Sequence, residues 1–99
     1  MIFDFPARKP GGEEQARALR ALAEDIAAEP DLIWKIWTED KEAGRSGGIY
    51  LFRNRTAAEA YHAKHAARLT AAGVTRIEAV YRTYNAERTA ITRGPVSET

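Results

Sequence analysis

The chain has no cysteine, which removes disulfides, thiolate metal ligands and cysteine nucleophiles from consideration together. It has almost no net charge, because fifteen Lys and Arg stand against fourteen Asp and Glu to leave +1. Phosphate backbones call for a concentrated basic surface, and the arginines here are scattered. The balance therefore gives no case for nucleic acid and reads as solvated surface charge. Long apolar runs are missing too: none approaches the ~18 residues of a membrane span, and Met1 to Phe5 lacks the basic and apolar regions of an export signal. A soluble, cytoplasmic protein without membrane association is expected. Asn54-Arg55-Thr56 matches a glycosylation sequon, which without export is a chance match.

What is present is concentrated between Leu32 and Phe52. Two runs rich in β-branched and aromatic residues, Leu-Ile-Trp-Lys-Ile-Trp-Thr-Glu and Gly-Gly-Ile-Tyr-Leu-Phe, flank the polar loop Asp40 to Ser46, which predicts an antiparallel hairpin with strands over 32–39 and 47–53. Residues three apart fall on opposite faces of a strand, so Trp34 and Trp37 need two burial sites. One register choice exchanges the two sets, and sequence does not decide which faces inward.

Elsewhere, Met1 to Phe5 reads as a first strand ended by Pro6 and by Pro10-Gly11-Gly12. Ala16, Leu19, Leu22, Ala23 and Ile26 make a helical stripe that starts near Glu13 and ends before Pro30. A second helix is expected from an N-cap at Thr56, with Glu59 completing a capping box, to Gly73. Its inward stripe is Ala58, Tyr61, His62, His65, Leu69 and Ala72, which leaves Arg55, Lys64 and Arg68 to water. A last strand is expected over 76–84, followed by one short turn at most. With 99 residues, a single domain over 1–92 with a flexible tail at 93–99 follows.

The order strand, helix, strand, strand, helix, strand predicts the α+β ferredoxin-like arrangement, in which two helices cover one face of a four-stranded antiparallel sheet. Both alternation sets of the later strands are apolar: Ile49 and Leu51 against Tyr50 and Phe52, Ile77, Ala79 and Tyr81 against Val80 and Tyr84. A sheet with one wet face would alternate apolar with polar. A homodimer packed sheet to sheet is therefore expected.

Glu29-Pro30, Trp34-Lys35-Ile36-Trp37-Thr38-Glu39, Gly47-Gly48-Ile49-Tyr50-Leu51-Phe52, Ala60-Tyr61, Lys64-His65, Ala67-Arg68-Leu69 and Gly73-Val74 occur in this order, and together they resemble the YdhR family of proposed monooxygenases from about Glu29 to Ile91. The resemblance implies a dimeric α/β barrel, in a wider superfamily that includes antibiotic-biosynthesis monooxygenases, with a ligand pocket between helices and sheet. Some members of that superfamily oxidise phenolic substrates with dioxygen and no metal or flavin; others are cyclases, isomerases or haem-degrading enzymes.

His65 is the first catalytic candidate, lying four residues from both Tyr61 and Leu69 on one helical stripe. An imidazole in an apolar pocket can accept a phenolic proton near neutral pH, although a histidine hydrogen-bonded inside the core fits the same pattern. Tyr50, the second, and Tyr61 offer phenols that can orient a substrate oxygen or belong to the core. Phe52 lies nine residues before Tyr61, a spacing similar to that between a strand-end tryptophan and an early-helix histidine in related oxygenases, and this resemblance implies that both face the pocket. Trp37 and Lys35 share a strand face, followed by Glu39. They can clamp an aromatic substrate, or Lys35 and Glu39 can form an ion pair at the dimer seam. Trp34 takes the opposite face and completes the candidate substrate-binding set.

Glu59, His62 and His65 resemble a metal cluster, but helical steps of three drift by about 60° each and spread the outer two by roughly 120°. No intrinsic metal or cofactor is expected. The leading expectation is a cofactor-independent monooxygenase acting with dioxygen on a hydrophobic, aromatic or phenolic small molecule. An acid/base cyclase or isomerase, or a non-catalytic binding dimer, remains open.

Overall fold

The computed structural model describes residues 1–7 and 12–96. The expected break at Pro10-Gly11 and the last three residues of the expected tail lie outside them. The elements are β1 (Ile2–Pro6), α1 (Glu13–Ala27), β2 (Leu32–Asp40), β3 (Arg45–Phe52), α2 (Arg55–Ala71), β4 (Glu78–Val80) and α3 (Ala86–Ile91). The four strands make one antiparallel sheet in the order β2-β3-β1-β4. The chain is of the α+β class.

The hairpin of β2 and β3 forms where its composition placed it and extends down to the pair Asp40 and Arg45, with an irregularity between Leu32 and Trp34. Gly44, at φ +67, supplies the left-handed residue of its turn. Gly47 and Gly48 answer to packing inside β3 and not to the turn. A Cβ on Gly47 would stand 2.0 Å from the Phe3 carbonyl oxygen of β1, and one on Gly48 would stand 2.5 Å from Cε of Lys35.

Both helix starts have local causes. Glu13 and Glu14 occupy the first turn of α1, where negative charge meets the positive end of the helix dipole. At α2 the cap is Asn54, two residues ahead of the expected Thr56, and its side chain accepts the Ala57 N–H at 2.8 Å. Asparagine caps as well as threonine, and Glu59 pairs with Arg55 instead of closing a capping box. The last strand is shorter than the expected 76–84. Only Glu78 to Val80 finds a partner, in Ile2 to Asp4 of β1, and Arg76 at φ +53 breaks extended backbone just before it. Beyond Asn85 the single turn is a short helix, α3, capped by that asparagine through the Arg88 N–H at 2.7 Å.

One face of the sheet carries the core. Phe3 and Tyr50 meet Ala58 and Tyr61 of α2 and Ile26 of α1, with Leu22, Leu32, Leu69 and Ala79 packed around them. Burying a side chain such as Phe3 contributes about 2–3 kcal/mol. The opposite face keeps large apolar side chains in the open: Ile2 is 40% exposed, Ile36 49%, Ile49 36% and Val80 38%. At its corner Arg45 pairs with Asp4.

Candidate active site

The strand period decides which residues of β2 meet the helices. Lys35 pairs across with Tyr50 and Trp37 with Gly48, whereas Ile36 pairs with Ile49. Because Tyr50 is core, Lys35 and Trp37 lie on the helix side, and Trp34 and Ile36 lie on the other. A cavity of about 530 Å³ opens there, between α1, α2 and the sheet, with Leu19, Leu22, Leu69, Lys35, Tyr50 and His65 in its wall and Trp37 beside them. That volume suits a small organic ligand.

His65 is 3% exposed. Arg68 donates to its Nδ1 through Nη2 at 2.9 Å and through Nε at 3.2 Å. A guanidinium cannot accept a hydrogen bond, so Nδ1 is the acceptor and the proton of the neutral ring sits on Nε2. Nε2–H has no partner among the described residues. No fully enclosed side-chain nitrogen or oxygen among them lacks one, so this N–H meets the cavity that His65 lines. Burial, then the charges of Arg68 and Lys35, lowers the His65 pKa from 6.5 to about 4. At neutral pH the imidazole is an uncharged donor.

Arg68 was expected to face water. Instead it lies one turn after His65, with Nη1 on Asp25 of α1 at 2.8 Å and Nη2 also 3.4 Å from the Tyr61 hydroxyl. Its long side chain can fold back along the α2 stripe because positions 61, 65 and 68 are neighbours at helical spacing. That spacing was the available signal. The Tyr61 hydroxyl lies 3.4 Å from that of Tyr50, so the relay runs from Asp25 through Arg68 and Tyr61 to the cavity wall. Burial raises the pKa of both tyrosines above the usual phenol value, so both keep their protons at neutral pH.

Lys35 sets its ammonium 3.3 Å from the Trp37 ring centre and 4.8 Å from that of Tyr50. It turns onto these rings and away from Glu39, whose carboxylate faces Lys41 at 3.9 Å. Burial, and secondarily Arg68, lowers the Lys35 pKa to about 8.

The remaining candidates lie outside this cavity. Tyr61 is buried behind Tyr50. Phe52 stacks on Tyr50 and faces a second cavity, of about 500 Å³, toward Tyr81 and Tyr84. Trp34 donates its indole N–H to the Pro95 carbonyl at 2.8 Å. His62 approaches the Tyr81 hydroxyl at 2.8 Å. Among the described residues no three or more His, Cys, Asp or Glu side chains come together in a group that could hold a metal ion, and no helix is long and apolar enough to cross a membrane.

A small α+β protein with an aromatic cavity between its helices and its sheet, lined by neutral donors and a lysine, is the class that fold and site define. The family model described as "Putative mono-oxygenase ydhR" matches residues 1–95, and the chain belongs to that family. The match takes in β1 and α1, beyond the stretch whose motifs carried the resemblance. No curated protein matches the chain.

Proposed function

We propose that this protein is a cofactor-independent monooxygenase that oxidises a hydrophobic, aromatic or phenolic small molecule with dioxygen. The observation that carries the reading is the fixed neutral tautomer of His65, which aims Nε2–H into an apolar cavity beside Tyr50. Such a donor suits a reaction in which negative charge develops on oxygen where water is scarce. The family description supports the reaction class.

The chemistry balances without an external reductant. The ionised substrate gives its electron pair to dioxygen as a C–O bond forms, and the resulting peroxide takes up a proton. An activated CH₂ then becomes a carbonyl as the O–O bond breaks and water leaves. His65 Nε2–H and the Tyr50 hydroxyl hold the oxyanion and the peroxide. Trp37 and the apolar wall orient the ring. Neither His65 nor the tyrosines serve as bases at neutral pH, and Lys35 is mainly charged there, so the substrate enters ionised or loses its proton to solvent.

The ferredoxin-like reading of the strand order and the homodimer belong to the same proposal. The exposed side chains Ile2, Ile36, Ile49 and Val80 form an apolar sheet face that a second copy can cover with the identical face. Oxygen uptake with a panel of anthrones and hydroquinones tests the reaction. Turnover that falls about 10²-fold in His65→Phe is expected from losing one preorganised donor. No uptake with any substrate refutes the reading, and product formed without oxygen consumption assigns the site to a cyclase or isomerase.

A further inference from the structure

Among the described residues, the other cations at or beside the cavity wall have carboxylate partners. Arg68 holds Asp25, Arg45 holds Asp4, and Lys41 faces Glu39 at 3.9 Å. Among the described residues no carboxylate comes within 4.0 Å of the Lys35 ammonium, although its side chain is partly buried. Ring faces stabilise a cation without neutralising it. The backbone is also shaped for this lysine: the absent side chain of Gly48 leaves the space in which Cε of Lys35 lies. A partly buried ammonium on an apolar cavity is costly unless an opposite charge joins it.

We propose that the cavity binds its ligand as an aromatic oxyanion, a planar carboxylate or an ionised phenol or enol, whose charged oxygens sit between Lys35 Nζ and His65 Nε2–H. The two groups are complementary: one supplies charge and the other a directed hydrogen bond. Leu19, Leu22 and Leu69 receive the ring system. Glu39 and Asp40 stand elsewhere on the wall, with Asp40 accepting the Ala43 N–H at 3.1 Å. This inference rests on the proposed reading of that cavity as the active site and names the charge state of its substrate.

Isothermal titration of the full chain with 2-naphthoate and its neutral isostere 2-naphthamide, at about pH 7 and without turnover, tests it. Naphthoate should bind roughly tenfold or more tighter than the amide, a ratio typical of one hydrogen-bonded charge pair. Lys35→Met and Lys35→Gln should reduce the ratio to within about threefold while naphthamide affinity stays nearly constant. Lys64→Met, which removes a lysine paired with Glu29 away from the cavity, should leave the ratio unchanged. Equal affinity of the wild type for the two ligands, no measurable naphthoate binding, or a ratio that survives both Lys35 variants would overturn the assignment. Loss of both ligands in the variants would overturn it too, since Lys35 would then shape the cavity without supplying charge. The two proposals fail separately: absent oxygen uptake with the carboxylate preference intact removes only the oxygenase, and uptake without the preference removes only the anion site.

Discussion

The two faces of the sheet break opposite rules of packing. The inner face, which should be apolar, holds Lys35, Tyr50 and, against it, His65 with its guanidinium partner. The outer face, which should be polar, shows Ile2, Ile36, Ile49 and Val80. Buried polar groups are costly unless satisfied, and large exposed apolar patches are uncommon on monomers. Each departure is what the two proposals address, with a small molecule for the inner face and a second copy for the outer.

The most damaging way to break this comparison is to unseat the sheet itself. Gly47→Ala drives a Cβ into the Phe3 carbonyl, and loss of folding or a penalty on the order of 4 kcal/mol is expected in urea denaturation. Next comes the outer face alone. Ile36→Glu places a charge at the centre of the proposed interface, and sedimentation should show a dimer weakened by about a hundredfold or more, with the inner cavity still able to bind naphthoate. The inner face is sharpened by acid. His65 is neutral in the fold down to about pH 4, whereas the unfolded ring charges near 6.5. The unfolded state thus binds the extra proton in that window, and stability is present above 6.5 and lost as pH falls toward 4. The loss amounts to about 3 kcal/mol at most. His65→Gln should lose less stability between pH 7 and pH 4.5 than the wild type by roughly that amount. The smallest effect has the opposite sign. Lys35→Met relieves a partly buried, unpaired ammonium and should raise stability at neutral pH by on the order of 1 kcal/mol after solvent screening, seen as a higher Tm.

Much of the fold was legible because period is a strong signal. The β2–β3 hairpin and the stripes of α1 and α2 follow from spacing alone. The ends were less so, since capping depends on which of several adequate residues the chain closes on, and Asn54 lay as near as Thr56. Strand β4 fell short of its composition because pairing requires a partner, and β1 supplies only three residues to it. At the site, His65 could be placed inward from the helical stripe, whereas Tyr50 could be named but not oriented, because both alternation sets of its strand are apolar. The division of Trp34 from Trp37 could be seen, but not which went inward, because a one-residue shift reverses both. Arg68 was misassigned because charge suggests water, and only contacts show a guanidinium folding back over its own helix. Gly48 sits in the second run of the hairpin with no local sign of why it is glycine. Its role depends on a side chain two strands' width of sequence away, at Lys35, which no local pattern carries.

The placement of the two indoles gives the protein a pair of built-in optical probes. Trp37 lies against the Lys35 ammonium at the cavity, while Trp34 stands on the opposite face with its N–H on Pro95. Emission from Trp37 alone, in a Trp34→Phe chain, reports whatever enters the cavity. Emission from Trp34 alone, in Trp37→Phe, reports what settles on the outer face. Ligand occupancy and the proposed self-association can thus be followed separately, one in each single-tryptophan chain.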